Sequence, residues 1–96
     1  MYKCVGNSKD FKFRDQLLSA SVSVMNNIAE GFDRGGHKEL GRFLTISKGS
    51  CGEVKSMLYL ALELDYISKN DFQEAYGLSV EISKMLIGFI KSLTDH

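Results

Sequence analysis

The sequence predicts an all-α protein, an antiparallel up-and-down helical bundle of about three long helices in one domain, residues 1–96. Three observations predict it. No proline occurs anywhere in the 96 residues, so nothing in the composition interrupts a long helix. Apolar residues recur three and four apart through most of the chain, which is the period of a helix buried on one side. The two places where this pattern breaks carry turn and capping residues: Gly31, Gly35 and Gly36 at one, and Ser68-Lys69-Asn70-Asp71 at the other.

The first helix is expected over about residues 10–32, with Ser8 as its N-cap. Leu17, Ser21, Val24 and Ile28 form one stripe, and Leu18, Val22, Met25, Ala29 and Phe32 form the stripe beside it. The second helix is expected over about 37–64, with Leu40, Phe43, Leu44, Ser47, Cys51, Val54, Leu58, Ala61 and Leu62 inward. Lys38, Arg42, Lys48, Glu53 and Lys55 fall on its outer side, and Asp65-Tyr66-Ile67 closes it. Ser68 with Asp71 three residues on is a weaker relative of the capping box. It opens a third helix over about 69–93, whose apolar side is Phe72, Tyr76, Ser79, Ile82, Leu86, Phe89 and Leu93, widened by Ala75, Leu78, Met85 and Ile90. Three helices with such wide apolar faces need more neighbours than two antiparallel partners supply, so a homo-oligomer is expected.

Composition excludes several classes. A 44% hydrophobic, 25% charged chain is ordinary for a globular domain, and no apolar run is long enough to cross a membrane. The opening MYKCVGNSKD has no apolar core of an export signal, and Cys4 and Cys51 lack metal-type spacing, so reduced thiols and a cytoplasmic location are expected. The net charge is zero. Residues 1–55 hold nine Lys/Arg against six Asp/Glu, and residues 56–96 hold three against six, so the front is mildly basic and the back acidic.

Catalytic motifs fail on inspection. Gly31 to Lys38 nearly spells a phosphate-binding G-x-x-x-x-G-K-[ST], but the lysine is one place late and Glu39 stands where Ser or Thr should be. His37-Lys38-Glu39 matches the H-x-E of zinc deaminases without the required P-C-x-x-C, and the only other histidine is His96. Gly49-Ser50-Cys51-Gly52 matches the G-x-x-G of a KH loop but lies inside a helical pattern; it reads as small residues that admit a neighbouring helix, as do Gly77 and Gly88. No nucleophile elbow is present. No catalytic residue, metal site or cofactor is therefore expected. Arg34, Lys38 and Arg42 remain, spaced by four, as a basic ridge able to contact phosphates. Glu30 lies across the corner, where it would either orient one arginine of that ridge or pin the turn through an inter-helix pair with Arg42 or Lys38; a merely solvated face is the other reading of the bases.

Asn27-Ile28-Ala29-Glu30-Gly31, Arg34, His37-Lys38-Glu39, Arg42-Phe43-Leu44, Gly49-Ser50, Glu53 and Tyr66-Ile67 together resemble the bacterial four-helix bundle proteins encoded within intervening sequences of 23S ribosomal RNA genes. The accessory variability determinant of diversity-generating retroelements is a relative of that family. The resemblance covers about residues 13–92. It implies an antiparallel four-helix bundle assembled as a ring-like homopentamer, without known enzymatic activity. For the retroelement relative it implies binding of nucleic acid and a reverse transcriptase through basic surfaces. Carried over, the basic positions are Arg34, Lys38, Arg42 and Lys48, and the structural corner is Asn27, Glu30 and Gly31. The chain departs from the family pattern in lacking a complete helix before the first, as a truncated reading frame would. It also has Met25-Asn26 in place of Pro-Ser, and Gly52 in place of a larger residue.

The leading expectation is a non-enzymatic oligomer acting as a nucleic-acid-associated accessory or assembly factor, with RNA or DNA and a reverse transcriptase or other protein as partners. The alternative is a protein-interaction scaffold, its basic ridge meeting an acidic partner or the acidic half of a neighbouring subunit.

Overall fold

The computed structural model describes residues 10–94. Cys4, Ser8 and His96 lie outside them. Three antiparallel helices follow one another: α1 (Phe11–Arg34), α2 (His37–Glu63) and α3 (Lys69–Thr94). No strand occurs among the described residues.

Each boundary has a local cause. Asp10 caps α1: its Oδ1 accepts a hydrogen bond from the Phe13 backbone N–H at 2.9 Å. α1 runs past Gly31 to Arg34 and stops at Gly35, whose φ of 79° is the left-handed conformation of a helix C-terminus. Gly36, in extended conformation, starts α2 without a side-chain cap. At the far end of α2, the Tyr66 N–H donates to the Ala61 carbonyl and the Asp65 N–H to that of Leu62, at 2.8 and 3.1 Å. That is a Schellman closure, with Asp65 at φ 58° in the place glycine usually takes. The Asp71 N–H then donates to Ser68 Oγ at 3.0 Å, the capping bond expected at the start of α3.

α2 is the central helix and packs on both neighbours, whereas α1 and α3 have little contact with each other. Around α2 the core divides along its length. Phe13, Leu17, Val54, Leu58, Ala61 and Ala75 form one cluster, and Leu40, Leu44 and Leu86 form the other. Between them lies a seam of small polar residues. Buried Ser47 donates through Oγ to the Val24 carbonyl at 2.7 Å, and the Cys51 thiol to the Ser79 carbonyl at 3.2 Å. Full burial of Leu17, Leu44, Val54 and Leu58 contributes about 1.5–3 kcal/mol each. These residues, rather than the exposed ion pairs, hold the three helices together.

The molecule measures 45 × 21 × 15 Å. A helix with its side chains is about 10 Å across. The cross-section therefore has room for three helices, and among the described residues the corner between α1 and α3 is open.

Candidate functional site

The turn between α1 and α2 is where sequence reasoning concentrated its candidates, and the structure rearranges several of them. Gly31 is buried within α1 rather than in the turn. A Cβ there would lie 3.0 Å from both Leu40 Cδ1 and Phe43 Cβ, so glycine lets α1 and α2 approach at their crossing. Asn27 donates through Nδ2 to the Ser23 carbonyl at 2.8 Å and lies 3.0 Å from Ser23 Oγ. Ser23 Oγ in turn is 2.9 Å from Ser50 Oγ on α2. Asn27 thus orients the one residue of α1 that hydrogen-bonds Ser50 across the crossing.

Glu30 does not reach across the corner. Its Oε1 pairs with Arg34 Nε at 3.0 Å, one turn along the same helix, instead of with Arg42 or Lys38. Arg42 pairs with Glu39 on its own helix at 4.0 Å. Both pairs follow the i,i+3 and i,i+4 spacings that bring side chains together on a helix surface. The two guanidinium groups also approach the Phe43 ring, at 5.4 Å for Arg34 and 5.2 Å for Arg42. Between residues 30 and 42, three acids (Glu30, Asp33, Glu39) accompany three bases (Arg34, Lys38, Arg42). The corner is close to neutral in formal charge.

Lys38 lies on the rim of a shallow depression of about 650 Å³ between the N-terminus of α2 and the C-terminus of α3, floored by Ile90 and Leu93. Lys48 stands apart from the other three bases. It is one heptad before Lys55, whose Nζ lies 3.4 Å from Ser83 Oγ of α3, so Lys48 belongs to the side of α2 that faces α3. Among the described residues, neither Lys38 nor Lys48 has a carboxylate in ion-pairing range.

The expectation that glycines admit neighbouring helices fails away from Gly31. A Cβ added at Gly49, Gly52, Gly77 or Gly88 would meet nothing within 4 Å. Ser50 and Cys51, between the first two, do face neighbouring helices, through Ser23 and Ser79.

A feature the motifs did not indicate is the open corner between α1 and α3. Of the two stripes on α1, the first faces α2 and the second faces outward: Val22, Met25 and Phe32 are exposed, Met25 by 64%. Leu78, Met85 and Phe89 of α3 are exposed beside them, Met85 by 71%. Phe32 and Phe89 meet edge to face at 5.8 Å across the gap. Behind them lies an almost wholly apolar groove of about 280 Å³, lined also by Ile28, Leu44 and Ile82. The width of the apolar face signalled this surface, but not that it would be continuous across two helices.

At the opposite end, Tyr66 donates its hydroxyl hydrogen to Asp10 Oδ2 at 2.8 Å and packs its ring against Phe13 at 5.2 Å. The bond from the Phe13 N–H, with that from Tyr66, holds the Asp10 carboxyl below its usual pKa. The same contact pushes the Tyr66 phenol up. This clamp ties the start of α1 to the loop between α2 and α3, and it is structural.

Among the described residues, no three His, Cys, Asp or Glu side chains come together as a metal site, and no helix is long and apolar enough to cross a membrane. Cys51 is a buried free thiol.

No curated protein matches the chain. Among solved structures, it is similar to a protein of unknown function from the S23 ribosomal protein family of Bacteroides thetaiotaomicron, at 28% identity and a TM-score of 0.86. The match covers 91% of this chain and 81% of that one. The model of the 23S rRNA-intervening sequence protein family matches residues 1–88. With this match over most of its length and a helical-bundle fold, the chain belongs to the 23S rRNA-intervening sequence protein family.

Proposed function

We propose that this chain acts without catalysis, as a subunit of a ring-like homo-oligomer that serves as an assembly scaffold. The observation that carries the reading is the apolar groove between α1 and α3, with Met25 and Met85 standing largely in solvent. On a different face, Leu60 and the C-cap residue Leu64 are exposed at the end of α2, and Ile46 is exposed on the same side about 21 Å away, with Glu53 between them. Two unlike apolar surfaces on one subunit favour head-to-tail contacts, and such contacts form rings when the rotation closes. The test is multi-angle light scattering of the whole chain against Met85→Asp and Leu60→Asp. Both variants are expected to lower the mass. A parent chain that runs as a monomer contradicts the reading.

A second reading, contact with nucleic-acid phosphates, is supported by Lys38 and Lys48, which have no carboxylate partner among the described residues. Arg34 and Arg42 carry less of it, since each already holds an acid. Fluorescence anisotropy with structured RNA and duplex DNA at two salt concentrations is the test. Binding that weakens with salt is expected, and no binding at low salt sinks the reading.

A further inference from the structure

The strongest cluster outside the turn lies on the face shared by α2 and α3. Lys48, Lys55 and Tyr59 are seven and four residues apart and fall on one side of α2. Lys69, Phe72 and Tyr76 fall on the facing side of α3 by the same rule. The three rings touch: Tyr59 is 5.0 Å from Tyr76 and 5.1 Å from Phe72, and Phe72 stacks on Tyr76 at 5.2 Å. Phe72 and Tyr76 are half-buried, so they brace Tyr59, which is 52% exposed. Gly52 lies between the two lysines of α2 and leaves the surface open there. None of the three lysines has a carboxylate in ion-pairing range among the described residues, and Glu63, one turn beyond Tyr59, is the acid on this face of α2. The face is therefore more basic than the turn between α1 and α2.

We infer that this face binds single-stranded nucleic acid, with Lys48, Lys55 and Lys69 taking backbone phosphates and the braced Tyr59 ring stacking an unpaired base. The inference rests on the nucleic-acid reading above and moves its site from the turn to the α2–α3 face. Phosphates alone would be served by lysines without a ring. A braced, half-exposed aromatic among lysines adds a flat apolar surface of the kind that unpaired bases stack on. A duplex buries its base faces, so it offers the lysines phosphates but offers Tyr59 nothing.

The experiment is anisotropy titration of the whole chain with a labelled mixed-sequence single strand, as RNA and as DNA, and with the corresponding duplex, at several salt concentrations. The single strands are expected to bind tighter than the duplex. A log–log salt slope of about −2 is expected, from three lysines at about 0.7 each. Tyr59→Leu keeps apolar bulk but removes the ring, and should weaken single-strand binding about tenfold, whereas Tyr59→Phe should retain it. Lys55→Gln and Lys69→Gln should each make the slope shallower. Three results overturn the site. Equal affinity for duplex and single strand with Tyr59→Leu unchanged is one. Binding lost instead on neutralising Arg34, Lys38 and Arg42 together is another; it leaves the nucleic-acid reading standing. A fall in scattering mass on Tyr59→Leu is the third, because it would make this face a subunit contact. Absence of any nucleic-acid binding at low salt removes both the site and the reading beneath it.

Discussion

At Gly31 a single missing methyl group sets the distance between α1 and α2. A Cβ at 3.0 Å from Leu40 Cδ1 and Phe43 Cβ would force those side chains outward. Gly31→Ala is therefore expected to cost about 1–3 kcal/mol by overpacking, offset by up to about 1 kcal/mol of helix propensity. Urea denaturation measures the net loss. Asp10 and Tyr66 make a pH-dependent contact. Because the folded Asp10 pKa is lowered, its contribution is present above the unfolded carboxylate value and is lost as pH falls through the folded one, below about pH 4. The folded Tyr66 pKa is raised, so its contribution is present below about pH 10 and is lost as pH rises beyond it. Tyr66→Phe should lower the melting temperature at neutral pH and flatten the alkaline decline; an unchanged alkaline limb would show that the bond is not made. Gly31 and Glu30 were both expected at the corner; Gly31 sets the helix crossing rather than the turn, and Glu30 pairs with Arg34 rather than with Arg42 or Lys38. Residue spacing reports what can meet on one helix, as Glu30 and Arg34 do, and is silent on how closely two helices cross.

Helix positions were legible to within about two residues where an end has a chemical stop, as at Gly35, Gly36, Asp65 and Ser68; Gly31 was not such a stop, and α1 runs past it to Arg34. The partner of each apolar stripe was not legible, since the stripes of Leu17 and Leu18 differ in sequence only by one position. What separates them is that α2 reaches the first, whereas among the described residues nothing covers the second. Asp65 holds a left-handed conformation at the C-terminus of α2, which costs an L-residue roughly 1–2 kcal/mol that glycine avoids, somewhat less for aspartate. Asp65→Gly is expected to stabilise the protein by about 0.5–1 kcal/mol in thermal or urea unfolding. A destabilised variant would mean that the Asp65 side chain makes a contact of its own. Gly77 lies in open space on an exposed helix face, so Gly77→Ala should likewise add about 0.5–1 kcal/mol.

On the scale of the whole molecule, α1 and α3 packed on α2 make a slab that, among the described residues, leaves one corner of a bundle open. The groove between Met25, Phe32, Met85 and Phe89 is the consequence. Leaving such side chains in water forgoes about 25 cal/mol for every Å² that could be buried. The expectation of self-association came from helix faces too wide for two neighbours, and the groove is where that excess lies. At the turn, intrahelical acids accompany the arginines of the expected basic ridge.

Multi-angle light scattering of the whole chain, beside Met25→Asp and Met85→Asp, tests the central claim most directly. Both positions are exposed in the single subunit, so neither substitution should unfold it. The account expects a parent mass several times 10.7 kDa, falling toward 10.7 kDa in both variants. A parent mass of 10.7 kDa at micromolar concentration, unchanged by either substitution, would contradict it.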